Sequence, residues 1–153
     1  MKIYLETTVP NFLFAEDATE KRDATREFWN WLRLGTEQVF TSELVIEELK
    51  RTPDPMHRRR LLTALDELEI TVLTADARVS GFADLLVACG AVPVRFREDA
   101  FHIAIAAVCE MNILASWNLK HIVKLRTMTA VNDLCLAYRL QPPRILTPQA
   151  IVP

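Results

Sequence analysis

Short apolar runs rich in β-prone residues alternate along the chain with longer segments whose apolar positions recur at helical spacing. Four runs are predicted strands, and a last apolar segment is the candidate for a fifth: 2–5, 38–41, 70–73, 112–116 and 144–146. Helical patterns cover residues 19–34, 42–51, 56–68, 75–88, 98–109 and a segment through 134–138. Because strands that alternate with helices form a parallel sheet between helical layers, the pattern predicts an α/β fold with a central parallel sheet of four to five strands.

The segment 98–109 is the most informative of these helices. Its second half has no polar face, so the helix is expected to be buried nearly all round against the sheet. Glu98, Asp99 and His102 stand at its entrance, where spacings of three and four residues place each acid on the same helix face as the histidine. A carboxylate there is either a helix-start charge favoured by the dipole or part of a site.

Polar residues follow the predicted strands directly. Glu6, Thr7 and Thr8 follow the first strand, Ser42 follows the second, and the segment 116–118 follows the fourth. Thr7 or Thr8 is expected to cap a helix after the first strand. Ligands of parallel sheets bind beyond the carboxyl ends of the strands, so these residues are predicted to line a site.

Carboxylates dominate the candidate chemistry. Glu6 ends the first strand, Asp99 begins the central helix, and either Glu47 or Glu48 can point inward from the helix that Ser42 caps. Grouped acids repel one another and raise each other's pKa unless a cation lies between them, which is a weak argument for a bound metal. Oxygen ligands of this kind suit Mg²⁺ or Mn²⁺.

Composition narrows the class of protein. The 153 residues are half apolar and one quarter charged, which fits one globular domain over residues 1–153, and no apolar run reaches the roughly 18 residues that span a membrane. Three scattered cysteines indicate reduced core thiols of a cytoplasmic protein. The net charge of −2 argues against a strongly cationic nucleic-acid binder, although Lys50, Arg51 and the segment 58–60 form a local basic patch.

The chain lacks the residue patterns of several common classes of enzyme and binding site. With only three glycines, the chain has neither a phosphate-binding P-loop nor a dinucleotide fingerprint. No serine stands in a nucleophile elbow, and the three histidines lack zinc-motif spacing. A phosphoryl-aspartate enzyme would want aspartate where this chain has Glu6.

Four motifs in order resemble those of the PIN domain, a small metal-dependent ribonuclease fold found in many bacterial toxins of toxin–antitoxin pairs. The run Ile-Tyr-Leu-Glu-Thr-Thr at 3–8 is similar to the opening strand of that family, which continues into Asp-Thr. The matching segments further along the chain are the Ser-x-x-x-x-x-Glu helix at 42–48, Asp-Ala-Phe-His-Ile-Ala at 99–104, and Ser-Trp-Asn-Leu-Lys-His-Ile at 116–122. The segments 131–132 and 145–148 fit one branch of the family, so the resemblance covers nearly the whole chain.

The resemblance implies a three-layer α/β/α PIN-like fold and a ribonuclease that uses Mg²⁺ or Mn²⁺. It places the metal ligands at Glu6, Glu48 and Asp99 and adds Asn118 to the catalytic group. Thr7 and His102 are expected to orient these ligands without binding the metal themselves. The implied partners are an RNA substrate, a small antitoxin protein and a second copy of the chain. No association with a membrane is expected.

One position departs from the family pattern. The family has aspartate where this chain has Glu6, and the extra methylene moves the carboxylate by about one bond length in a site type that tolerates little geometric error. Two alternatives therefore stay open: a catalytically weak PIN-like module that binds RNA or an antitoxin, and a metal-dependent phosphohydrolase with a substrate other than RNA. Lys120 and His121 could contact phosphate, although a surface role is the better explanation for them.

Overall fold

The computed structural model describes all 153 residues and contains five strands, which form one parallel sheet. The strands are β1 (Lys2–Leu5), β2 (Gln38–Ser42), β3 (Ile70–Leu73), β4 (Ile113–Ala115) and β5 (Arg144–Leu146). All five lie where the alternating pattern predicts them, and the last apolar segment is the fifth strand. The parallel sheet of the prediction is confirmed.

Eight α-helices flank the sheet. They are α1 (Thr8–Phe12), α2 (Thr19–Leu34), α3 (Glu43–Lys50), α4 (Pro55–Asp66), α5 (Ala77–Ala88), α6 (Arg97–Val108), α7 (Leu125–Ala137) and α8 (Pro148–Ile151). Helix α1 contacts α2 and α4, whereas α5 contacts α6 and α7. The helices and the sheet make the three-layer α/β/α architecture that the sequence indicates. None of the helices is long and apolar enough to cross a membrane.

Several helix boundaries differ from the prediction for local reasons. Helix α5 begins at Ala77, two residues later than expected, because the Asp76 carboxylate accepts the backbone N–H groups of Arg78 and Val79 and caps it. The short helix α8 and a 3₁₀ turn at Val94–Phe96 are additions that the periodicity does not predict.

The expected cap of α1 is wrong. Neither Thr7 nor Thr8 accepts a capping hydrogen bond through its side chain. Instead, the Glu6 carboxylate accepts the backbone N–H of Thr8 at 3.1 Å, while both threonine hydroxyls donate to acids. The carboxylate at the end of β1 therefore starts the helix.

The order of strands across the sheet is β3-β2-β1-β4-β5. The chain builds outward from β1 to β2 and β3, then returns to place β4 on the other side of β1. The neighbours β1 and β4 form the switch point at which parallel sheets of this kind bind ligands. Glu6 and the segment 116–118 leave the sheet at this point.

The core is one cluster of 35 buried hydrophobic residues with β1 and α6 at its centre. Seven residues of α6 are buried, namely Ala100 and 102–107, so the prediction of a helix covered nearly all round is confirmed. A side chain at the start of α6 is held firmly, because the rest of the helix is packed on every side. His102 is the one polar residue among these seven.

Candidate active site

Glu6 lies at the end of β1 with 2% of its surface exposed. Its two carboxylate oxygens accept from Thr8, one from the backbone N–H and the other from the hydroxyl. Thr8 Oγ1 also accepts the backbone N–H of Trp117 at 2.8 Å, which ties the end of β1 to the end of β4. Burial raises the pKa of Glu6, although the charge of His102 and the Thr8 hydrogen bonds oppose this.

Glu48 is the inward acid of α3, whereas Glu47 is exposed. Its carboxylate accepts a hydrogen bond from the Thr7 hydroxyl and lies 3.1 Å from His102 Nε2. Burial alone would raise the pKa of Glu48, but the hydrogen bonds from His102 and Thr7 and the charges of His102 and Arg51 outweigh it and lower the pKa. The choice between neighbouring acids is thereby settled in favour of Glu48 as the one facing the site.

His102 joins α6 to β1 through one ring nitrogen and to α3 through the other. Nε2 faces Glu48, while Nδ1 lies 2.9 Å from the Tyr4 hydroxyl, which is in turn 2.8 Å from Ser42 Oγ. Burial raises the pKa of Tyr4 well above its ordinary value, so the phenol stays protonated and can donate. Burial would lower the pKa of His102, but the Glu48 hydrogen bond and the charges of Glu6, Glu48 and Asp99 together raise it.

Asp99 occupies the first turn of α6, nearer to the solvent. Its Oδ2 lies 3.0 Å from His121 Nδ1, and both side chains are 19% exposed. The backbone N–H of His121 donates to Asn118 Oδ1 at 3.0 Å, and the Phe96 ring covers the imidazole with ring centres 4.1 Å apart. Asn118 therefore shapes the loop that presents His121 to Asp99.

The structure brings the six predicted side chains to one edge of the sheet in two groups. Glu6, Thr7, Glu48 and His102 form the buried group, while Asp99 and Asn118 meet through His121 in the open group. The charges of all three acids raise the pKa of His102, although Glu48 is the acid that contacts it.

Tyr4 and His121 belong to this network but not to the predicted site, and Thr8 and Ser42 are predicted only to lie at the strand ends, without a role. The sequence holds a weak signal for Tyr4, because a tyrosine in a buried aliphatic strand needs a partner for its hydroxyl. Thr8 and Ser42 stand beside predicted residues, but nothing local reveals their contacts. His121 pairs with an acid 22 residues away, which a single sequence does not disclose.

The donor set has the chemistry of a site for a hard divalent cation. Glu6 is buried and pairs with no lysine or arginine, and buried charges in proteins are usually paired or bound to metals. Each carboxylate oxygen has two lone pairs, so the donors that already bind Glu6 and Glu48 leave acceptor capacity. As arranged, however, no group of three or more His, Cys, Asp or Glu side chains could hold a metal ion.

No family model matches the sequence, and no curated protein is significantly similar to it. A solved structure is similar in fold: the crystal structure of VapBC2 from Rickettsia felis bound to a DNA fragment from their promoter. The match has a TM-score of 0.63 and covers 96% of this chain and 98% of that chain at 13% sequence identity. The chain has a PIN-like fold.

An identity of 13% shows the architecture alone, so the PIN-like fold is established independently of any shared residue. The candidate site lies at the carboxyl ends of the neighbouring strands β1 and β4, and its assignment rests on the side chains of this chain alone.

Proposed function

We propose that this PIN-like chain, as one domain over residues 1–153, is a metal-dependent endoribonuclease that hydrolyses RNA phosphodiester bonds. The observation that carries the proposal is that acids from three parts of the chain meet at one edge of the sheet, where Glu48 contacts His102 and Asp99 contacts His121. Glu6, Glu48 and Asp99 come from three separate elements and share no lysine or arginine partner. A fold that assembles three acids at its ligand edge with no lysine or arginine paired to them is suited to a metal cation and a phosphate.

The side chains divide the work. Thr7 and His102 hold the Glu48 carboxylate, and Thr8 holds Glu6, so both acids are fixed before a ligand arrives. Asp99 bonds through Oδ2 alone, which leaves its other oxygen free at the more exposed side of the site.

Glu6, Glu48 and Asp99 would hold Mg²⁺ or Mn²⁺ only after closing around the ion, because they are not arranged as a metal-binding group in the structure. Such an ion lowers the pKa of a bound water and offsets charge on the phosphate. Asn118 positions the loop beside Asp99 and orients His121.

The proposal extends to the partners. The solved structure of similar fold is the VapBC2 complex on promoter DNA, and the sequence motifs resemble toxins of toxin–antitoxin pairs. We infer that this chain is the toxin of such a pair, with a small antitoxin as partner and a homodimer as its own assembly. Co-expression with the neighbouring reading frame, followed by purification, tests the pairing.

Substitution of Asp99 tests the active site. Asp99→Asn keeps the size of the side chain but removes its charge, and we expect RNA cleavage under Mn²⁺ to fall by about 100-fold or more, since a metal ligand contributes several kcal/mol to the transition state. Binding of Mn²⁺, measured by calorimetry, should weaken in parallel. Unchanged cleavage and unchanged Mn²⁺ binding would contradict the proposal.

The chain offers two matched controls. Glu98 precedes Asp99 in the same helical turn, is exposed and pairs with Arg51 at 3.2 Å, so Glu98→Gln should keep full cleavage. Glu47→Gln serves in the same way for Glu48→Gln, because Glu47 is the exposed neighbour. Equal losses in a control and its partner would point to net charge rather than to the site.

A second function is favoured by one observation. Both Glu6 oxygens are engaged by Thr8, and no three acids are arranged as a metal-binding group, which suits a catalytically weak PIN-like module that binds RNA or an antitoxin. Glu6→Asp separates the two. A gain in cleavage of about tenfold or more, worth about 1.4 kcal/mol, supports the weak module, whereas a smaller change supports the enzyme.

A further inference from the structure

A cleft of about 490 Å³ opens beside the candidate site, between the segment after α5 and the segment that links β4 to α7. We call it the basic cleft, because Lys120, Lys124 and Arg126 line it together with His121, and no acid does. Thr127 Oγ1 donates to the Ala91 carbonyl at 3.3 Å and ties the two walls together. The cleft is therefore a formed feature of the fold.

The three cations of the basic cleft are unneutralised. Lys120, Lys124 and Arg126 are exposed, and none takes part in an ion pair or a side-chain hydrogen bond. Gly90 leaves room beside the arginine, since a Cβ there would lie 4.0 Å from Arg126 Nη2. In a chain of net charge −2, three free cations in one cleft mark a local site for an anion.

His121 connects the basic cleft to the candidate active site. Its side chain lines the cleft, while its Nδ1 lies 3.0 Å from Asp99 Oδ2. A polyanion that approaches Asp99 meets a concentration of negative charge at Glu6, Glu48 and Asp99. Cations next to this concentration offset the repulsion and hold the polyanion in register.

We propose that the basic cleft binds a backbone phosphate of a single-stranded RNA whose neighbouring phosphodiester lies at the candidate active site. The inference rests on the proposed function for the identity of the polymer, whereas the anion site rests on the cleft alone. The volume suits a nucleotide-sized group, and flexible lysines and an arginine contact phosphate without reading the base. Recognition by this cleft is therefore independent of sequence.

The test measures binding without cleavage. A short fluorescein-labelled single-stranded RNA of mixed sequence is titrated with protein in EDTA at several salt concentrations. The test variant combines Lys120→Gln, Lys124→Gln and Arg126→Gln. We expect affinity at low salt to fall by about tenfold or more. The slope of log K against log salt should become shallower by about 0.7, because the variant neutralises one phosphate fewer.

The matched control removes the same charge at the opposite edge of the sheet. Arg33 precedes β2, Arg139 precedes β5, and Arg144 begins β5. All three are exposed, and none forms an ion pair. Their combined change to Gln should leave affinity within about twofold and the slope nearly unchanged. A charge-conserving variant, Lys120→Arg with Lys124→Arg and Arg126→Lys, should also bind RNA like the wild type.

Three outcomes would overturn the proposal: no binding of RNA by the wild type, equal losses of affinity in the test and control variants, or loss of binding in the charge-conserving variant. Should the triple variant unfold, Lys120→Gln and Lys124→Gln are measured singly, and each should lower RNA affinity at low salt more than Arg144→Gln does. The proposed function is tested separately by Asp99→Asn, because this variant is expected to lose cleavage while RNA binding in EDTA can still be measured.

Discussion

Two histidine–carboxylate pairs lie at the same edge of the sheet and differ mainly in burial. His102 and Glu48 are 3.1 Å apart with side-chain exposures of 2% and 15%, whereas His121 and Asp99 are 3.0 Å apart and each 19% exposed. The buried pair is enclosed further by Tyr4 and Thr7, while the open pair faces the basic cleft. Similar geometry therefore serves two different environments.

The contrast separates a pair that holds the site in shape from a pair that solvent and substrate can reach. An ion pair that water reaches contributes little to stability, because solvent screens it and its long side chains lose entropy. A buried pair contributes little net stability as well, but the loss of one partner leaves a polar group unsatisfied and is costly. We infer that the His102 pair holds the site in shape and that the His121 pair is free to change partner when substrate arrives.

The largest expected effect is on folding stability. His102→Ala should lower the free energy of unfolding by about 3–5 kcal/mol, because it leaves the Glu48 carboxylate without its cation and opens a cavity beside Tyr4. His121→Ala should cost about 1 kcal/mol or less. Urea denaturation of both variants, followed by circular dichroism, measures the difference, and equal losses would refute the division between the two pairs.

The architecture is predictable because its signals are local. Each strand is a short apolar run and most of the long helices carry their own periodicity, so a parallel sheet between helices follows from their alternation. The order of the strands does not follow in the same way, since pairing of β1 with β4 depends on contacts more than a hundred residues apart. Helix ends differ where a single side chain, such as Asp76, supplies a cap.

The sequence predicts which residues lie at the candidate site, but it does not predict which hydrogen bonds join them. Glu48 and Glu47 are indistinguishable in a helix that is apolar on several sides, and only the contacts with Thr7 and His102 separate them. The local pattern favours Thr7 as a helix cap because capping is a common local use of threonine, yet its partner is 41 residues away. Hydrogen bonds between residues this far apart produce no periodic pattern in the sequence.

The buried pair should also make stability depend on pH. The pKa of His102 is raised in the folded state, so its contribution is complete below the unfolded value near 6.5 and is lost as pH rises through the folded value. Glu48 has a lowered pKa, so its contribution is lost only as pH falls below its ordinary range. Stability from the pair is therefore greatest in mildly acidic solution.

Metal-free protein in EDTA, unfolded with urea from about pH 6 to pH 9, tests this dependence. The wild type should lose stability across the range at no more than about 1.4 kcal/mol per pH unit from this group. Burial raises the pKa of Glu6 and acts in the same direction, so the readout is the difference from His102→Gln, which should be flatter. A wild-type stability that does not change over this pH range would contradict the assignment.

The smallest expected effect concerns the loop of the open group. Asn118 Oδ1 accepts the backbone N–H of His121 at 3.0 Å, so Asn118→Ala should cost about 1 kcal/mol and lower the melting temperature by a few degrees. Asn118→Asp keeps the acceptor oxygen and should fold like the wild type. Reduced RNA cleavage in Asn118→Ala with recovery in Asn118→Asp would show that the asparagine acts by placing His121 beside Asp99. Persistent loss in Asn118→Asp would show instead that the amide N–H₂ group is itself required for the reaction.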